Sequence, residues 1–322
     1  MKYNWGIIGT GWIAHEMGDA QMRVNKKIYA VCSGNFEAAK QYQEEYNVSK
    51  AYADVDELLS DENVDIVYIA TPHNLHYEIM MKALKAGKHV FCEKAITVNS
   101  TQLEEAVTLA KEKNLVISDG VTLLHMPLYK KLKEIVSSGK IGKVKMVQVN
   151  FGSCKEYDVR NRFFAKELAG GALLDIGVYA VSFARTFMSS RPDTVLTTAN
   201  YFETGVDETS GIILRDPEGE MAVIALTMRA KQPKRGVVAG EKGYIEVSTY
   251  PRANKAAVTY TEDGHTETIT CGDEQYALDY EIRDMERYVE EKSGEENLTI
   301  IRDVMWTLTE IRKQWGMIYP FE

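Results

Sequence analysis

The chain has 322 residues, 45% of them hydrophobic, and a formal net charge of −9. That length suits two domains with ordinary cores, and the acidic balance disfavours nucleic acid and anionic membrane as partners, since both want basic patches. Four scattered cysteines, Cys32, Cys92, Cys154 and Cys271, make no CxxC pair, which points to buried, reduced thiols and away from a disulfide framework or zinc site.

The opening residues, MKYNWGIIGTGWIA, set one lysine before an apolar run that Gly9-Thr10-Gly11 interrupts and His15-Glu16 end. A secretory leader is therefore not expected. No stretch approaches the ~20 apolar residues of a membrane span, so the expectation is a soluble, cytoplasmic protein. Residues 3–8, 28–32, 64–70, 88–92 and 115–118 are short, β-branched and largely unalternating, as strands buried on both faces should be. Helical segments lie between them at 36–46, 55–59, 75–86 (stopped by Gly87) and 100–113 (stopped by Asn114). This alternation predicts a doubly wound parallel sheet. Beyond residue 121 the pattern changes. A helical piece at 128–137 precedes alternating strands at 143–151, 195–202, 209–214, 221–229, 244–248, 256–262 and 266–271, and helices at 278–292 and 298–314 close the chain. The expected organisation is an α/β domain over 1–121, then an α+β domain over 122–322. The second is built on a large, open, mostly antiparallel sheet.

The first strand runs into Gly9-Thr10-Gly11-Trp12-Ile13-Ala14, the G-x-G-x-x-G/A fingerprint of a Rossmann domain. Gly9 permits the tight turn, Gly11 lets backbone approach a pyrophosphate, and Ala14 keeps helix and strand close. A lone match is weak, but strand before and helix after supply its context. Gly9, Thr10, Gly11, Trp12 and Ile13 are therefore candidate cofactor contacts. The second strand ends at Cys32-Ser33-Gly34-Asn35, without the acidic residue that holds a free ribose 2′-hydroxyl. Ser33, Gly34 and Asn35 could take a 2′-phosphate, although no arginine accompanies them. NADP is mildly preferred over NAD.

After Ala70 come Thr71-Pro72-His73-Asn74-Leu75-His76. Thr71 and Asn74 read equally as turn and helix-cap residues or as cofactor contacts, with Pro72 between them. His73 and His76 have no metal-ligand spacing to any Cys or Glu cluster, so no metal is expected. They should face the cofactor cleft or solvent, and His76 joins the candidate contacts. Glu93 and Lys94 follow the fifth strand, at the carboxyl edge where parallel sheets bind ligands. From Leu168 to Ala184 the only formal charge is Asp175, an expensive carboxylate unless paired or hydrogen-bonded. Tyr179 shares its helical face. A local cap or salt bridge, with Tyr179 as core, remains an open reading of that pair.

Together, Gly9–Ala14, Ala70–His76, Cys92-Glu93-Lys94 and Gly170–Tyr179 resemble the glucose–fructose oxidoreductase/inositol dehydrogenase (Gfo/Idh/MocA) family. The likeness is greatest to its dimeric dihydrodiol dehydrogenase and NADP-dependent xylose dehydrogenase branch. The resemblance implies Lys94 as catalytic lysine, Tyr179 as the proton-transferring residue, Asp175 as a substrate-orienting carboxylate that balances Lys94, and Glu93 as a cofactor contact. Lys94 would hydrogen-bond the reacting oxygen and favour ionisation of Tyr179. Ala95 replaces the proline common after the lysine, and Leu124-His125 stand where many relatives carry arginine and an aromatic. The implied activity is NAD(P)-dependent hydride transfer at a secondary alcohol of a sugar, polyol or cyclic diol. A catalytically silent cofactor sensor is the alternative, and a methyltransferase has no use for this lysine and tyrosine. A homodimer or higher homo-oligomer is expected through the second-half sheet, because strands such as MAVIALTMR need cover on both faces.

Overall fold

The computed structural model describes residues 2–322. They form two compact units, one reaching to Gly120 and including Leu278–Leu298, the other Val121–Ala277 with Thr299–Glu322.

In the first unit β1 (Trp5–Ile8), α1 (Trp12–Arg23), β2 (Ile28–Cys32), α2 (Phe36–Glu45), β3 (Lys50–Tyr52) and α3 (Val55–Ser60) form one half. The other half is β4 (Ile66–Ile69), α4 (His73–Lys85), β5 (His89–Cys92), α5 (Ser100–Lys113) and β6 (Ile117–Asp119). All strands pair in parallel, in the order β3-β2-β1-β4-β5-β6. The order reverses beside β1, which puts the ligand crevice of such sheets at the carboxyl ends of β1 and β4. Every residue of β1 and β4 is buried, which is why neither alternates. Asparagine and aspartate side chains start the helices: Asn35 caps α2, Asp54 α3 and Asn99 α5, while left-handed Asn114 ends α5. β3 had no readable strand pattern, because its three residues are all at least partly exposed.

The second unit contains α6 (Pro127–Ser137), β7 (Val144–Gly152), α7 (Val178–Phe187), β8 (Thr194–Tyr201), β9 (Asp207–Arg215), β10 (Met221–Thr227) and β11 (Gln232–Gly240). β12 (Gly243–Ser248), β13 (Lys255–Tyr260) and β14 (Thr266–Thr270) complete its sheet, ordered β14-β13-β12-β11-β7-β10-β9-β8. Only β7 and β10 pair in parallel. α7 covers one face at β7 and β10. The opposite face leaves Leu196, Ile213, Val223 and Tyr244 exposed among Gln148, Asn150 and Arg235. β11, central in this sheet, went unread because Pro233 and Gly236 break its pattern. Gly236 is required there, since a Cβ would meet the Phe183 ring of α7 at 2.3 Å.

Three expectations need correction. From Leu278 on, α8 (Ala277–Glu291) belongs to the first unit: Arg23 pairs with Asp279, Lys26 with Glu286, and the buried Trp5 indole donates to Glu286. Most of α9 (Glu295–Trp315) lies in the second. One apolar helical run, Lys166–Phe187, does reach membrane-spanning length, but its most apolar window is 83% buried and it packs as core. Of the four free cysteines, Cys154 is exposed and Cys271 only half-buried.

Candidate active site

At the end of β1, Gly9 has φ +101°, and a Cβ there would sit 2.5 Å from the Ala70 carbonyl. No side chain caps α1, whose N-cap is Gly11, and nothing lies within 4 Å of where a Cβ of Gly11 or Gly34 would be. Bare helix-start amides facing open space are what a pyrophosphate needs. Trp12 is exposed and Ile13 half-buried. The Thr10 hydroxyl donates to Ser33 Oγ at 3.2 Å, while the Asn35 side chain is committed to capping α2 through Glu37 and Ala38 amides. Asn35 thus has a structural task that sequence reading did not give it.

Thr71 Oγ1 and Asn74 Oδ1 are buried and lack a hydrogen-bond partner. Neither serves as a cap, because α4 starts from Pro72 without a side-chain cap and Asn74 lies inside its first turn. Buried polar atoms left open are costly, and a ligand with hydrogen-bonding edges satisfies them. The open glycine backbone and these two orphaned atoms fit a bound dinucleotide.

Lys94 leaves β5 on a turn fastened from below. From Val90 to Val98 every residue is buried except Lys94. His73 Nε2 lies 3.0 Å from the Lys94 carbonyl, and His76 sits with Nδ1 2.9 Å from the Ala95 carbonyl and Nε2 2.8 Å from that of Thr71. Both histidines are buried. They are struts for the turn, which corrects the expectation that they face cleft or solvent and leaves His76 no ring nitrogen for a cofactor. The Lys94–Ala95 peptide bond is cis. The buried Tyr68 hydroxyl donates to the Glu93 carboxylate, which also accepts from the Lys94 amide. Burial first, then the Glu93 charge, pushes the Tyr68 phenol well up. Tyr68 went unnoticed in the apolar run of β4, although a buried tyrosine hydroxyl regularly requires a partner.

In the second unit Asp175 lies in a π-helical turn, Leu173–Gly177, that leads directly into α7. Such turns recur at functional sites. From Ala169 to Ala184 every residue is buried except Tyr179, whose ring centroid is 6.3 Å from that of Phe151. The turn is held by Asp207, fully buried at the start of β9, whose Oδ2 accepts from the Leu173 amide at 2.7 Å. A Cβ on Gly171 (φ +119°) would meet Asp207 Oδ1 at 2.2 Å. No sequence signal singled out Asp207. Leu124 and His125 are buried.

The doubly wound sheet, glycine turn and open switch-point edge define an α/β nucleotide-binding protein. Residues 3–121 match the oxidoreductase family with an NAD-binding Rossmann fold, and residues 129–246 the GFO/IDH/MocA C-terminal domain. The chain belongs to this Gfo/Idh/MocA family of NAD(P)-dependent oxidoreductases. It is 34% identical to trans-1,2-dihydrobenzene-1,2-diol dehydrogenase of Xenopus laevis over 78% of this chain and 76% of that one. It is 31% identical to the NADP(+) D-xylose 1-dehydrogenase of Hypocrea jecorina over 98% and 93%. Its fold is shared with a 3-ketoreductase from Actinomadura kijaniata, solved with NADP and TDP-benzene, at a TM-score of 0.84, 22% identity and 97% of each chain.

Proposed function

We propose that this oxidoreductase interconverts a secondary alcohol and its carbonyl on a sugar, polyol or cyclic trans-diol, with NADP(H) preferred to NAD(H). The observation that carries the reading is that Lys94 and Tyr179 are each the one unburied residue of an otherwise buried run. Partial exposure lets a ligand reach both side chains. The relatives that act on a dihydrodiol and on xylose support the substrate class.

The nicotinamide, when bound, supplies the hydride chemistry. In the proposed mechanism Lys94 donates a hydrogen bond to the reacting oxygen, and its charge favours loss of the tyrosine proton. Tyr179 takes the hydroxyl proton in oxidation and returns it in reduction. Asp175 orients the substrate. Gly9–Ile13, Ser33, Gly34, Thr71, Pro72, Asn74 and Glu93 hold the cofactor. Residues 1–121 serve cofactor binding and 122–322 substrate binding and self-association, through the open sheet face. A silent sensor of the same fold needs no presented lysine and tyrosine. We place the protein in the cytoplasm, which its free cysteines suit. Recovery in an oxidising compartment would contradict that.

The test is absorbance of the reduced cofactor with aldoses, inositols and trans-dihydrodiols, offered with each nicotinamide cofactor. Turnover on at least one substrate is expected, with tighter binding of NADP(H). Cofactor binding without turnover on any would favour the sensor, and tighter NAD(H) binding would refute the cofactor preference.

A further inference from the structure

Beside Tyr179 the second unit gathers positive charge, against the sign of the whole chain. Lys234 lies where the pairing of β11 with β7 is irregular, between Gln232 and Arg235, two residues before Gly236, which lies against Phe183 of α7. Lys234 Nζ stands over the Phe151 ring, 4.8 Å from its centroid, and that ring neighbours both Tyr250, at 5.7 Å, and Tyr179, at 6.3 Å. Ammonium and phenol therefore share an aromatic neighbour. Lys155 stands 4.3 Å over the Phe163 ring nearby.

Lys234 is half-buried, and burial, then the charges of Lys231, Lys155 and Arg252, push its ammonium down from its ordinary value. No carboxylate faces it among these influences, and Lys155, Lys231 and Lys234 make no ion pair among the described residues. In a protein of net charge −9, random placement would mix signs here. Gly152 pairs with Gln232, the Lys155 amide donates to the Met228 carbonyl and the Thr249 amide to that of Lys234, so these cations share one end of the sheet, and like charges around a half-buried ammonium favour an anion beside it. Lysine and arginine together are the usual holders of phosphate and carboxylate.

We propose that the substrate carries an anionic group, a phosphate monoester or a carboxylate, held by Lys155, Lys231, Lys234 and Arg252 while its CH–OH carbon lies at Tyr179. This rests on the oxidoreductase reading above and narrows its substrate class. The neutral aldoses and diols are then poor surrogates for the true substrate.

The experiment compares kcat/KM for a free aldose, the same aldose bearing a terminal phosphate, and the corresponding uronic acid. It is run on the parent, Lys234→Met, Lys234→Arg and the exposed-site variant Lys231→Met, with inorganic phosphate binding to the cofactor-loaded protein measured by calorimetry. At least one anionic sugar should exceed the neutral one by about tenfold or more, and the better arm names the group. That ratio should fall about tenfold in Lys234→Met, fall in Lys231→Met, and recover in Lys234→Arg. Phosphate should bind the parent and not Lys234→Met. A neutral sugar preferred by parent and variants alike, with no phosphate binding, would overturn the site while leaving the oxidoreductase reading intact. Phosphate binding lost in Lys234→Met, with no turnover of any sugar, would keep the site and overturn that reading instead.

Discussion

Asp207 is fully buried, and burial raises its carboxyl from the ordinary 3.8 to about 7, against the lowering effect of the Leu173 amide, its own amide and Arg312. Arg312 itself is held by Glu322, and Tyr319, whose hydroxyl donates to the Gly170 carbonyl, and Tyr201 are the other titratable groups it influences. Between those two values the folded protein holds a proton there that the unfolded chain releases. This contribution to stability is therefore fully present below about pH 4 and is lost as pH rises through about 7. The loss is on the order of a few kcal/mol. Asp207→Asn keeps an acceptor for Leu173 and cannot ionise, so melting curves across that window should show a flatter pH dependence than the parent. An identical slope in both proteins would mean that Asp207 does not bind this proton. Asp207 was invisible in sequence because its burial arises only when β9 is laid against the turn before α7. Position at the sheet edge singled out Lys94, and spacing to Asp175 singled out Tyr179, but their catalytic roles came only from the resemblance, and which residue of an apolar run opens outward depends on packing.

Elements were legible where burial follows a simple period. β1, β4 and β5, buried on both faces or nearly so, announced themselves as unbroken apolar runs, and the asparagine stop of α5 was readable from its αL preference. β11 was not, because its Gly236 answers to the Phe183 ring rather than to strand propensity. Gly236→Ala should force that ring aside and destabilise the protein by about 1–3 kcal/mol, seen as a lowered thermal midpoint. An unchanged midpoint would show that α7 yields freely over the sheet. The two histidines of α4 carry the same lesson: their place at the switch edge suggested cleft or solvent, whereas the carbonyls of the Lys94 turn draw both rings inward.

On the scale of the whole molecule, the change from unalternating to alternating strands marked the passage from a parallel to a mostly antiparallel sheet, but no linear pattern could show α8 joining the first unit. The sheet face bearing Leu196, Ile213, Val223 and Tyr244 is apolar enough to favour self-association. Light scattering at micromolar concentration should give the mass of a dimer or higher oligomer; a stable monomer would count against the proposed interface. The measurement that tests the central claim most directly is steady-state turnover by parent, Lys94→Met, Tyr179→Phe and the double variant, on a substrate the parent accepts. Cofactor affinity should largely survive, because the proposed main grip is the Gly9–Ile13 turn. Each single variant should lose about 10²–10⁴-fold in kcat, the worth of positioned proton transfer, and the double variant less than the product of the two, because the proposed mechanism makes the residues act as one unit. Rates within a few-fold of the parent for either single variant would contradict the mechanism.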